Sequence, residues 1–385
     1  MPISAEFDIL RTCARARLAP AHRDRLQSLL GGCVDWPGLL RLANLHKLGP
    51  LLHHHLKPVA NLVPEDIRAQ LAQAYMDNAR HNLLLLAELR RVLDSFQSRG
   101  IQAVPFKGPL LAIALYGDAA MRQCVDLDIL VRRRDLPVAG EILVSLGYRI
   151  ALQTKWPADS VRLRTEYHFP FVKQHGPVAI EVHAELTPYY FAFPIHQEEA
   201  RSRLFDVQVN RAAIPTLGPE DLLLFLCAHG TKHLWSWLEM IGSFAEHVRS
   251  HPEIHWESVR AKAARLGGSR MLLLSLLVAE RFTGLELPAW ATAACDPEAS
   301  ELVNWVERFY GPASRLPVEA EKAWFHLRCR ERLRDRIRYL LLLWLAPNWD
   351  ELEFLPLPRA LFPLYWVIRP LRLSVKSAAL AIRAR

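Results

Sequence analysis

The chain has 385 residues, more than one hydrophobic core usually serves, so two or three packed units are expected. Apolar residues make up 51% and charged residues 23%, which excludes a disordered chain. The 48 Lys and Arg against 40 Asp and Glu give a formal charge of +8, favouring acidic partners such as nucleotides, RNA or an anionic membrane face without selecting among them.

Six cysteines, Cys13, Cys33, Cys124, Cys227, Cys295 and Cys329, are scattered with no CxxC pair. That spacing argues against a disulfide framework or zinc ribbon and points to a reducing, cytoplasmic setting. The opening "MPISAEFDILRTCARARLAP" lacks the continuous apolar core of a signal peptide. No run reaches the roughly 18 apolar residues expected of a membrane span. The nearest, "ALFPLYWVI", is bracketed by Arg359 and Arg369.

Residues 1–98 read as a helical region. "WPGLLRLANLHKLGPLLHHHL" and "RHNLLLLAELRRVLDSFQSRG" repeat leucine at three- and four-residue spacing, and the second stops at Gly100. His53, His54 and His55 are consecutive in a helical pattern and share no face, so they make no metal site by themselves.

Residues 99–216 carry a mixed pattern. "IQAVPF" is a short apolar strand; Lys107 and Gly108 follow, and Pro109 suits the first turn of a new helix. "DLDILV" reads as a second strand and "RRDLPVAGEILVSLGY" as a helix closing on Gly147. "YHFPFVKQHGPVAIEVHAEL" gives two strands joined at "QHGP", with Glu181, His183 and Glu185 alternating against Ile180, Val182 and Ala184. Residues 217–350 return to leucine-rich helices, the first opened by Gly218, Pro219, Glu220 and Asp221. Residues 351–385 form a basic, apolar tail.

The chemistry concentrates in the middle. Asp126 and Asp128 are two apart on a strand and project from one face, where two carboxylates repel unless a cation lies between them. Oxygen ligands of this kind suit Mg²⁺ beside substrate phosphates, and Glu181 on a neighbouring strand supplies a third acid for a two-ion clamp. Lys107, the helix opening at Gly108, and Arg122 offer positive charge and free N–H groups to a polyphosphate. Taken singly, each has an ordinary alternative: an acidic strand end, a solvated lysine, a surface ion pair, the wet face of a hairpin. Their order along the chain favours a nucleotide site.

That order, strand, Gly-opened helix, strand with D-x-D, then a later acidic strand, resembles the DNA polymerase β-like nucleotidyltransferases. The version here, "FKGPLL", "LYGD", "MRQCVDLDILV", "YHFPFV" and "IEVHAEL", with "LGPEDLLLFLCAHGTKHLWSWLEMI" and "PLYWVIRPLRL", is similar to the uncharacterised nucleotidyltransferase family 5. The resemblance implies an α+β fold, a polymerase β-like core of mixed sheet and flanking helices set between N- and C-terminal helical regions. It implies a nucleoside triphosphate substrate and Mg²⁺, two ions held by Asp126, Asp128 and Glu181. By it, Lys107 and Gly108 stand where the wider superfamily has a Gly-Ser pair on the triphosphate. Relatives often place an acid near Ser243, where this chain reads "LEMIGSF".

His168 and His183 on the hairpin, and His229, Lys232 and His233 in "AHGTKH", are assigned to nucleotide contact, with a buried histidine pair as the alternative for His229 and His233. The expected activity is transfer of a nucleoside monophosphate with loss of pyrophosphate. The acceptor stays open between RNA, a peptide or protein, and a small molecule. A silent binding protein on the same scaffold and a kinase attacking the γ-phosphate stand as alternatives. The tail, with Arg359, Arg369, Arg372, Lys376, Arg383 and Arg385 and no acid, is read as packed on the helical body or resting on an anionic membrane or RNA. Pro363 and Pro370 argue against one long amphipathic helix there.

Overall fold

The structure is a computed structural model and describes residues 4–151, 163, 166–310, 317–347, 351, 354–355 and 357–383. Strands are β1 (Val104–Pro105), β2 (Asp126–Leu130), β3 (Tyr148–Ile150), β4 (His168–Lys173), β5 (Ala179–His183), β6 (Phe205–Val209) and β7 (Ala212–Thr216). The first five form one mixed sheet in the order β1-β2-β5-β4-β3. β2 and β5 are parallel, while the β1–β2, β4–β5 and β3–β4 pairs are antiparallel. The expected α+β architecture, a mixed sheet flanked by helices, is what the chain adopts.

Strand alternation decides which face does what. Leu127 and Ile129, Ile180 and Val182, Phe169 and Phe171 point to one side and pack with Leu85, Leu89, Val92 and Phe96 of the long Glu65–Ser98 helix. The Leu136–Ser145 helix completes that layer through Leu136, Ala139, Ile142 and Leu143. Asp126, Asp128, Glu181, His183 and His168 are left on the opposite side. The long helix ends at Ser98 and the chain turns through Gly100 at φ 71°, which a glycine adopts without strain.

A second apolar cluster joins the N-terminal helices to the C-terminal ones: Phe7, Leu10 and Leu52 pack in it with Phe225, Trp235, Phe244 and Phe282. Val104, Phe106 and Leu130 belong to it too, so the polar edge of the sheet is walled by helices from both ends of the sequence. The Pro219–Lys232 helix begins as its Gly218-Pro-Glu-Asp opening predicts.

Four segments depart from the sequence expectations. The helix of "RRDLPVAGEILVSLGY" spans Leu136–Ser145, and Tyr148 opens β3 instead of belonging to it. "FDVQVNRAAIPT", to which no element was assigned, forms the separate β6–β7 hairpin, turned by Asn210 at φ 56°. β5 stops at His183, so Glu185 leaves the alternating face and meets Arg133 at 3.5 Å. Pro370 does not end the tail helix, which runs Tyr365–Arg383; Pro363 falls in the short 3-10 turn before it. A proline early in a helix forfeits one backbone hydrogen bond, and packing against the Leu333–Leu345 helix holds the segment helical despite that loss. All six cysteines are free, and among the described residues no helix is long and apolar enough to cross a membrane.

Candidate active site

The site grows from the β2–β5 register. Asp128 lies opposite Glu181 and Leu130 opposite His183, so parallel pairing sets two carboxylates and an imidazole side by side on the polar face. Asp128 is wholly enclosed, and its Oδ1 lies 3.0 Å from His183 Nε2. The same ring nitrogen is 3.3 Å from Glu181 Oε2. Across the hairpin His168 is opposite His183, the two rings stacked at 5.3 Å, and His168 Nε2 is 3.9 Å from Glu181.

Lys107 reaches this cluster because the chain pairs one residue beyond β1. The Phe106 N–H donates to the Asp128 carbonyl at 3.2 Å, which fixes the next residue beside the acid. Lys107 Nζ then sits 3.0 Å from each Asp128 carboxylate oxygen. Gly108 makes the turn into the Gly108–Tyr116 helix at φ +64°, and a Cβ there would lie 2.9 Å from the Asp126 carbonyl oxygen. Positive φ and close approach both call for glycine.

Charges in the cluster shape each other. Burial alone would raise the Asp128 pKa, but Lys107 and His183 outweigh it and hold the carboxyl far below its usual range. For Asp126 the balance is reversed: burial first, then the Asp128 charge, outweigh Lys107 and His183 and push it up to about 6. Glu181 is lowered, its burial overcome by the hydrogen bond from His183. His183 is raised, because burial is outweighed by its bonds to Asp128 and Glu181. Burial likewise pulls Lys107 down, yet Asp128 and Asp126 leave it raised and charged.

The far wall comes from the Pro219–Lys232 helix and the residue after it. His229 and His233 are one turn apart with ring centroids 4.7 Å distant, and burial keeps both neutral, His233 at about 3. Lys232 Nζ donates to the Tyr167 hydroxyl at 3.2 Å, and burial followed by Lys107 lowers it to about 8. His168 is lowered to about 4, by burial and then by His183. Arg122 is turned elsewhere: its Nε lies 2.5 Å from Glu239 Oε1, both side chains nearly buried, and Ser243 Oγ donates to the same oxygen at 2.6 Å.

These groups share one cavity of about 350 Å³, lined by Lys107, Gly108, Arg122, Asp126, Asp128, His168, Glu181, His183, His229, Lys232 and His233. Every residue assigned to the site from sequence therefore lines this cavity, Arg122 with its guanidinium held by Glu239. The sequence of the uncharacterised nucleotidyltransferase family, as a profile, matches residues 32–284, more than half of the chain.

The chain belongs to that family.

No curated protein sequence matches it. In this nucleotidyltransferase family member the cavity also takes in Lys47, Tyr167, Trp237 and Glu239, which the sequence reading passed over. Lys47 comes from the N-terminal helices and lies 4.5 Å above the Trp237 ring, a long-range pairing with no local signature. Glu239 did leave a signal. It sits four residues before Ser243, on the same helix face, where the Ser243 hydroxyl donates to it.

The donor set could hold a metal ion. Asp128, Glu181 and His183 offer ligand atoms all within 4.8 Å of one another. Asp126, outside that group but on the same strand face, adds a carboxyl that burial and then the Asp128 charge push above the ordinary value, as a cation would relieve.

Proposed function

We propose that this chain is a Mg²⁺-dependent nucleotidyltransferase that moves a nucleoside monophosphate from a nucleoside triphosphate to an acceptor hydroxyl or similar nucleophile. The observation that carries the reading is the register of Asp128 against Glu181 beside Lys107, in a family of nucleotidyltransferases. Asp126, Asp128 and Glu181 would hold Mg²⁺, which when bound screens phosphate charge and lowers the acceptor's pKa.

The chain's own groups do the rest. Lys107 leaves Asp128 for the phosphates as the substrate brings negative charge and cation together, and Lys232 lies within the same cavity to meet the far end of the polyphosphate. The helix opening at Gly108 presents N–H groups to the same oxygens. The acceptor oxygen forms a bond to the α-phosphorus while the α–β bridging bond breaks, and pyrophosphate carries away the electron pair. Glu181 is the first acceptor of the proton, which its depressed pKa releases quickly to solvent. His168, His183, His229 and His233 order the cavity walls, and Arg122 supports them through Glu239. In this scheme residues 99–216 are the catalytic core, residues 1–98 and 217–350 its walls, and residues 351–385 an appended tail.

One observation favours a second reading. Lys107 and His183 already neutralise Asp128 without any cation, as a silent binding protein would require. The deciding experiment incubates purified protein with each α-labelled triphosphate, Mg²⁺ and total RNA or cell lysate. Label should enter an acceptor with release of pyrophosphate, and Asp128→Asn should abolish both. Transfer of γ-label instead would make it a kinase. Metal-dependent triphosphate binding without any pyrophosphate release would favour the silent protein.

A further inference from the structure

Exposed large apolar side chains are concentrated near the C-terminus. Of the 22 among the described residues, 12 lie between Leu333 and Leu371. Leu333, Ile337, Leu341 and Trp344 recur every three or four residues on one face of the Leu333–Leu345 helix. Trp366, Val367 and Leu371 are exposed on the Tyr365–Arg383 helix packed beside it. A surface this apolar marks a place where something docks.

The two helices are held together from the inside. The enclosed Glu351 carboxylate pairs with Arg369 at 2.7 Å and Arg372 at 3.0 Å, and Arg369 also donates to the Leu343 carbonyl at 3.0 Å. Tyr365 donates to the Leu355 carbonyl at 2.5 Å and accepts from the Leu357 N–H. Buried ion pairs and backbone bonds thus clamp the pair, and the apolar side chains are left outward.

Charge identifies the occupant. Arg334 and Arg338 are exposed along the apolar stripe, whereas among the described residues from Leu333 to Ser374 no acid is exposed. From Arg359 to Arg385 the sequence carries six basic residues and no acid; Arg369 and Arg372 pair with Glu351, and the other four add to the positive charge. We propose that this face is a docking surface for an anionic lipid bilayer, with Trp344 and Trp366 at the headgroup level and arginines on the lipid phosphates. Leu, Ile and Val dominate the stripe, which offers bases little to stack on, so RNA fits less well. A two-fold pairing of copies would bring like-charged arginine rows together.

The test co-sediments the full chain with vesicles of phosphatidylcholine alone or mixed in equal parts with phosphatidylglycerol. Binding should be about tenfold tighter or more on the anionic vesicles and should weaken with added salt. Ile337→Asp combined with Val367→Asp, both at exposed positions, should lose at least about tenfold while the thermal midpoint is kept. Equal binding to both vesicles, no binding, or full binding by the double variant would overturn the proposal. So would a homodimer, or an RNA complex, that the double variant dissolves in the absence of any vesicle binding.

Discussion

Lys107 Nζ lies 3.0 Å from both carboxylate oxygens of Asp128, so a lysine already stands where a metal ligand would point. This ammonium and a divalent cation compete for one carboxylate. Lys107→Met should therefore raise Mn²⁺ affinity about tenfold, the scale of a near-contact charge on a carboxylate. The same variant should weaken triphosphate binding measured without metal, because a phosphate partner is gone. Calorimetric titration with Mn²⁺ and, separately, with triphosphate gives both signs. Weaker Mn²⁺ binding would mean that Lys107 positions Asp128 for the metal instead.

Asp126 and Asp128 share a strand face yet should respond oppositely to the same substitution. Asp128→Asn strips the partner from a nearly buried ammonium and should cost about 3 kcal/mol of stability. Asp126 titrates at about 6 in the folded protein against 3.8 for the free group, so its ionised form opposes folding. That cost is absent below about pH 4 and fully present above about pH 6. Asp126→Asn should accordingly stabilise the metal-free protein by roughly 1–3 kcal/mol at neutral pH and by little in acid. Both variants should lose activity by about a hundredfold or more. Denaturation curves at two pH values and pyrophosphate release check the pair.

Four of the sheet's five strands were legible, β2 and β5 because period-two alternation survives in "DLDILV" and "AIEVHAEL", and glycines mark the turns at Gly100 and Gly108; β3, β6 and β7 were not. From that alternation the shared face of Asp126, Asp128 and Glu181 could be reasoned. The register could not: a slip of one residue leaves the composition unchanged and turns every side chain over. Nor could the partners of Asp128 be assigned, since Lys107 is 21 residues away and His183 is 55. Lys47 meeting Trp237 is a tertiary event without a local pattern. Pro370 lies inside the tail helix because the neighbouring Leu333–Leu345 helix packs against it, a contact no local pattern announces.

The sequence offers Arg122 to a polyphosphate, and its geometry points to a supporting part. The Arg122–Glu239 pair at 2.5 Å is nearly buried, with Ser243 donating to the same carboxylate. Burial would raise Glu239, but Arg122 holds it low. Glu239→Gln should cost about 3 kcal/mol by leaving a buried guanidinium without its counter-charge. Ser243→Asp would set a second carboxylate against Glu239, and should destabilise without increasing activity. Chemical denaturation of both variants tests this. If Arg122→Lys instead keeps the unfolding midpoint and loses only turnover, the guanidinium acts on substrate directly.

Lys232 gives the site a pH dependence above neutrality. Burial, then the charge of Lys107, brings it to about 8, so it is a cation at neutral pH and loses that charge as pH rises through 8. Around it Lys107 and Tyr167 are raised, and His233, at about 3, stays neutral. Asp128 and Glu181 are lowered and stay ionised, and His183 is raised by its bonds to them. Triphosphate affinity should therefore fall above about pH 8, by at most about tenfold per unit for one lost charge. Lys232→Arg keeps its charge throughout and should flatten the profile, whereas Lys232→Met should bind weakly at every pH. Triphosphate titrations across that range decide it: a decline that persists unchanged in Lys232→Arg means that Lys232 is no phosphate ligand.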